Sequence, residues 1–193
     1  KNEDIYFKFK QIKFKFDFKN ASLFLETEQP TLTFQTIDTP IRNIKVYLKL
    51  FSLLKSNTEI EKIAIESKFI DISNLKKILS KMKPSNFNSF ILNRVKNGQL
   101  RVNLELFFDE KINIKNFIAK GEVEKLEISL FDNIQLDNTN FNFFADNSDV
   151  LIKDISSETK GVKLNEGNLQ LQKVNEDLKI KLDIISKVEV NQN

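Results

Sequence analysis

The chain has 193 residues, with 30 Lys and Arg against 27 Asp and Glu and a formal net charge of +3. That length is ample for a buried core, and so weak a charge on a mixed surface gives no ground for a nucleic-acid partner. The absence of Cys and His excludes disulfides, thiolate metal sites, Cys nucleophiles and the usual Ser-His triads.

Phe is abundant at 18 residues, Gly is scarce at 4, and Lys far outnumbers Arg. AT-rich codons supply such a mixture, so the composition reads first as genome bias. No apolar run reaches the roughly 18 residues of a bilayer span, and no signal peptide is visible. The expectation is that any export signal or membrane anchor lies ahead of Lys1.

Residues 5–18 alternate almost perfectly. Phe7 and Phe9 share one phase; Ile12, Phe14, Phe16 and Phe18 share the other, with a bulge or tight turn at Lys10-Gln11. The opposite face carries Lys8, Lys10, Lys13 and Lys15. It reads as a solvated or guarded edge, or as a basic rim that meets lipid phosphates. Strands are predicted at 22–26, 31–37 and 41–50, punctuated by Gln29-Pro30 and Thr39-Pro40. A short apolar turn of helix follows at 51–57. Residues 59–65 form a strand with Ile63 and Ile65 inward, and 69–72 lead into a helix.

That helix is predicted over 74–82. Leu75, Ile78, Leu79 and Met82 fall at i, i+3, i+4 and i+7 on one face. Ser73 or Asn74 serves as N-cap and Pro84 as the stop. A second helix over 85–96 turns Phe87, Phe90, Ile91 and Val95 inward and ends at Asn97-Gly98; the alternative is a loop into an Asn-Gly hairpin turn. These segments make one or two short caps.

From Gly98 onward the period is two. Leu100, Val102, Leu104 and Leu106 face one way, Arg101, Asn103 and Glu105 the other. Ile112, Ile114 and Phe117 continue to a turn or bulge at Gly121, and Leu126, Ile128 and Leu130 alternate with Glu127 and Ser129. Turns are read at Asp132-Asn133, Asp137-Asn138, 146–148, Lys160-Gly161, Glu166-Gly167 and 175–177. Connections are too short for parallel crossovers, so the sheet is an antiparallel meander. No linker divides the chain, which reads as a single domain over 1–193: strands in 1–73, a helical cap in 74–96 and a strand meander in 97–193.

About fifteen strands would spread roughly 70 Å across the ladder. A nine-residue helix, about 14 Å long, covers two or three of them. The remaining apolar face must close as a sandwich, close as a barrel, or curl into a groove filled by something oily. No nucleophile elbow or phosphate-binding glycine loop is present, so no enzyme and no cofactor is expected. Asp146-Asn147-Ser148-Asp149 is an acidic turn that could hold Ca²⁺, but it lacks the Gly and distal Glu of a loop site. It reads as an Asx turn, and no metal is expected.

Residues 41–72 carry a resemblance. An alternating strand ends in a Leu-Leu turn (Val46 to Ser56) and is followed by "IEKIAIES" and "KFIDIS", with Lys68 where the pattern often has Pro. "NGQLRVNLEL", "AKGEVEKLEISL" and "NEGNLQLQ" add a Gly-x-Leu-x-Leu strand habit. From about residue 12 onward the chain resembles AsmA-like proteins, whose repeating β-groove belongs to the bridge-like lipid-transfer group. The resemblance implies a mostly β fold curled into an apolar groove. It implies a phospholipid partner, a periplasmic body anchored in the inner membrane by segments outside this chain, and a role in lipid traffic to the outer membrane. Leu100, Val102, Leu104, Leu106, Leu126, Ile128 and Leu130 are the expected groove residues; Leu75, Ile78, Leu79 and Met82 form the cap at one end. The alternative is a non-catalytic β-sandwich, a structural or interaction domain of the envelope.

Overall fold

Alternating side chains and scarce Gly and Pro let strands run long, and strands dominate the computed structural model. It describes residues 5–18, 22–34, 36–49, 59–131, 133–160, 162–174 and 177–187. In chain order these hold β1 (Ile5–Lys8), β2 (Gln11–Asp17), β3 (Ser22–Glu28), β4 (Thr31–Phe34), β5 (Ile37–Leu48), β6 (Ile60–Ser67) and β7 (Ile70–Asp71). Two helices follow, α1 (Ile72–Leu79) and α2 (Asn86–Arg94). Then come β8 (Val95–Phe108), β9 (Ile114–Phe131), β10 (Ile134–Ala145), β11 (Asp149–Thr159), β12 (Val162–Val174) and β13 (Asp177–Lys187). The described residues are thus mostly antiparallel β with two short helices. The apolar turn expected at 51–57 lies outside the described residues.

The chain divides into two units, residues 1–69 with 101–119 and residues 70–100 with 120–193. Strands β8 and β9 contribute to both.

In the first unit β5 serves two ladders. Its start pairs with β4, Thr31 opposite Pro40, and β4 pairs with β1. Its later part pairs with β3 on one side and β6 on the other; β2 adds to β3 and β8 to β6. This order is not a simple meander. Thr39-Pro40 does not punctuate it: Pro40 sits inside β5 and its carbonyl accepts from the Lys68 N–H at 2.8 Å. Gln29-Pro30 is a true corner, with Gln29 at φ 48° between β3 and β4. The Lys10-Gln11 slip is also a corner, from β1 into β2.

In the second unit β8 to β13 do form a meander, and the helices cover its start. Ile72, Val95, Val123, Leu126 and Ile128 make the buried cluster, flanked by Leu75, Ile91, Leu100, Leu136, Phe141 and Phe143. Helix α1 begins two residues earlier than its periodicity predicts. Ile72 completes the face with Leu75 and Leu79, and the helix stops before Met82, which is 48% exposed in the following turn. Met82 is therefore no part of the cap face. Asp71 occupies the N-cap position without capping, because its carboxylate accepts from Gln99 Nε2 at 3.0 Å across the β7–β8 ladder.

Helix α2 also differs from expectation. Its Ser85 Oγ accepts from the Asn88 N–H at 3.1 Å, and buried Asn88 donates its side-chain amide to the Lys83 carbonyl at 2.9 Å. That satisfied amide turns inward with Ile91, leaving Phe87 66% and Phe90 41% exposed. Val95 is buried as the first residue of β8 and not as helix. Asn97-Gly98 is neither helix stop nor hairpin turn. Gly98 lies within β8 at φ 136°, where a Cβ would come 3.0 Å from Leu126 Cα.

Three turns expected downstream are absorbed into strands. Gly121 lies inside β9, and the actual turn spans 109–113, where Asp109 Oδ1 accepts from the Lys111 and Asn113 N–H groups at 2.9 Å. Asp137-Asn138 marks a register shift in β10, with Asn138 at φ 47°. In β12 the register shift falls at Asn165, between Leu164 and Glu166, and Glu166-Gly167 is an ordinary paired stretch opposite Ile185 and Ile184. The shifts at Asn138 and Asn165 are bulges, which use the same residue types as turns.

Candidate functional site

Antiparallel register places directly opposed residues on one face, and in the first unit this assembles apolar rows across five strands. Phe14, Leu25, Val46, Ile63 and Leu106 form one row. Ile12, Thr27, Ile44, Ile65 and Leu104 form the next, and Phe16, Leu23 and Leu48 begin a third. Thr27 fits this face because its hydroxyl bonds the Ile44 backbone, accepting from the N–H at 3.2 Å. Ile44 and Leu48 are buried; Leu23, Leu25, Val46, Ile63, Ile65, Leu104 and Leu106 are half-buried. At the β2 edge exposure rises to 72% at Phe14. No described helix belongs to this unit.

The other face of these strands is charged and internally neutralised. Lys15 pairs with Glu26 and Lys13 with Glu28, while Lys45 approaches Glu26 at 3.6 Å and Lys62 meets Glu105 at 3.0 Å. The Lys15 bond holds the Glu26 carboxyl below the usual carboxylate range, and Glu26 in turn pushes Lys15 up. Lys62 Nζ also lies 4.6 Å over the Tyr47 ring, and Lys45 Nζ 5.5 Å over Phe24. Lys13 and Lys15 thus spend their charge on β3 and are not a free basic rim.

The expected groove residues divide between the units. Leu104 and Leu106 lie on the apolar rows. Val102, half-buried on the same strand, donates its N–H to buried Ser67 Oγ at 2.9 Å. Leu100 stands opposite Ile70 and packs on the second unit's core. Leu126 and Ile128 lie inside that core, 8% exposed, beside residues of both helices. Leu130 is 37% exposed. Of the cap residues, Leu79 is buried while Leu75 and Ile78 are half-buried. The β2 and β3 contribution, Phe14, Phe16, Leu23 and Leu25, was missed as site, although its alternation is as clear as that of β8.

The acidic turn closes on itself: Asp146 Oδ1 accepts from the Ser148 and Asp149 N–H groups at 2.8 and 2.9 Å. It is an Asx turn. Among the described residues no cluster of acidic side chains is placed to hold a metal ion, and no helix is long and apolar enough to cross a membrane. No protein-family model, curated protein or solved structure matches the chain.

Proposed function

We propose that this protein binds or conducts phospholipid acyl chains along an apolar β-groove, serving lipid transport or homeostasis between inner and outer membranes without catalysis. The observation that carries this reading is the apolar face of the first unit, continuous over five strands and half-buried or exposed except at Ile44 and Leu48. Leaving such area in water costs about 25 cal/mol per Å². The face offers hydrocarbon and almost no donors or acceptors, which suits acyl chains and gives a polar solute nothing to bond. The ion pairs on the opposite face satisfy one another, so that side gives no special purchase to a nucleic acid. The AsmA-like strand patterns support the same reading and, with it, a periplasmic body held at the inner membrane by a segment outside this chain.

Lipid extraction and native mass spectrometry of the purified chain test the proposal. Phospholipid co-purifying at a fixed ratio is the expected result. Lipid-free protein that takes up none from vesicles would favour a closed interaction domain and overturn the reading.

A further inference from the structure

Between Asp71 and Glu105 the sequence has no acidic residue, although the chain holds 27 Asp and Glu. The turn from α1 into α2 lies in that stretch, and it is exposed from Ser80 to Phe87. Large apolar side chains stand out from it: Met82, Phe87 and Phe90 are 48%, 66% and 41% exposed. Phe87 and Phe90, three residues apart, are neighbours on one side of α2. Lys81 and Lys83 flank Met82, both exposed and, among the described residues, with no partner for their ammonium groups. We propose that this turn and the start of α2 dock on a bilayer surface that contains anionic phospholipid. Met82, Phe87 and Phe90 enter the boundary between headgroups and acyl chains, and Lys81 and Lys83 meet the phosphates.

Charge selects this occupant. Lysines at the first unit's β2 edge also stand beside exposed apolar side chains, but each bonds a glutamate, Lys13 to Glu28 and Lys15 to Glu26. The charge of Lys81 and Lys83 is not neutralised in that way. An ammonium on a flexible stem reaches a phosphate while its apolar neighbours go deeper, and each lysine near an anionic surface adds attraction. Two lysines are too few to hold a nucleic-acid backbone, where Met and Phe at this spacing would also stay in water. The turn is held ready for contact: Ser85 Oγ accepts from the Asn88 N–H, and the Asn88 side-chain amide donates to the Lys83 carbonyl. Docking then orders little chain, which keeps its entropic cost low. The surface belongs to the second unit, so it stands whether or not acyl chains lie on the first unit's rows.

The chain has no Trp, which makes Phe87→Trp a single fluorophore at the contact. Its emission should shift to the blue on adding vesicles of phosphatidylcholine with phosphatidylglycerol, and lipids brominated high on their acyl chains should quench it. Vesicles of phosphatidylcholine alone should do neither. Ile112→Trp is the control: Ile112 is as exposed as Phe87 but follows Asp109 and Glu110 in another turn, and it should not respond. In vesicle sedimentation Lys81→Gln with Lys83→Gln should weaken binding by about fivefold for each lysine, with circular dichroism checking that the variant folds. Leu104→Glu should bind vesicles like the unmodified chain, which separates this contact from lipid held on the first unit's rows. Vesicle binding by a chain that carries no extractable lipid would remove the groove and leave this proposal standing. A chain that ignores anionic vesicles has another occupant at this turn, and that result overturns the proposal. Equal responses at 87 and 112, or binding that survives the lysine changes, overturn it too.

Discussion

Thr139 Oγ1 and Ser157 Oγ meet at 2.7 Å, each residue 3% exposed, and tie β10 to β11 inside the register shift that follows Asp137. A bulge leaves the backbone ladder short of partners, and this hydroxyl pair spans the gap. Ser157 also donates toward the Asp137 carbonyl at 3.3 Å. Ser157→Ala should cost about 1–3 kcal/mol, because the Thr139 hydroxyl stays buried without that partner. Thr139→Val with Ser157→Ala together should cost less than the sum of the single changes. Urea melts of the double-mutant cycle check this.

Helix α1 gives a comparison of faces. Leu79 is 7% exposed, so Leu79→Asp should destabilise by about 3 kcal/mol or more. Lys76 is not an inert control, since its Nζ donates to the Leu92 carbonyl at 3.0 Å and ties α1 to the end of α2. Lys76→Ala should cost about 1 kcal/mol. Lys81, exposed beyond the helix, should stay within about 0.5 kcal/mol when changed to Ala. A ranking other than Leu79, Lys76, Lys81 in chemical melts would mean that the face is misassigned.

Gly98→Ala should destabilise by at least about 1 kcal/mol. At φ 136° an L side chain is strained, and its Cβ would press on the Leu126 backbone, which cannot swing aside. Val123 and Ile128 flank that contact in the cluster, so core packing should loosen first. Faster amide exchange at Leu126 than at β12 would report it.

Acid should weaken the β2–β3 edge. The folded-state carboxyl of Glu26 is held low, chiefly by its bond from Lys15. A lowered folded value means the stabilisation is complete above the unfolded value and fades as pH falls through the folded one. The stability gap between the unmodified chain and Glu26→Gln should therefore be full near neutral pH and close below about pH 4. Urea midpoints from pH 7 to pH 3 measure it; a gap independent of pH would remove Glu26 from the account.

Long alternation made the strands legible, and so did the apolar face of α1 apart from its ends. What the sequence hid was the difference between a turn and a bulge. Asn138 looks like a hairpin residue because both motifs ask for the same backbone freedom, and only pairing partners distinguish them; Gly167 is an ordinary strand residue opposite Ile184. Phe87 and Phe90 were read inward on hydrophobicity, yet Asn88 takes the buried position once it can bond Lys83. For the candidate site, alternation showed that Leu104 and Leu126 each face inward. It could not show which apolar face a helix covers, because that depends on strand order.

This separation yields the sharpest functional test. Leu104 lies in a half-buried row with Ile65 beside it, whereas Ile128 sits in the closed cluster with Ile72 and Val95. A carboxylate at 104 can reach water past neighbours that are themselves partly exposed, so Leu104→Glu should keep its far-UV circular dichroism and lose most bound phospholipid. An ammonium at 128 has no such path, and Ile128→Lys should lose about 3 kcal/mol or more and with it the fold of the second unit. Bound phospholipid per chain and thermal melts, read on both variants, decide the matter. If Leu104→Glu unfolds as completely as Ile128→Lys, the first unit's rows are a sealed core and acyl chains do not lie there. If Leu104→Glu keeps both fold and lipid, the chains lie on another face.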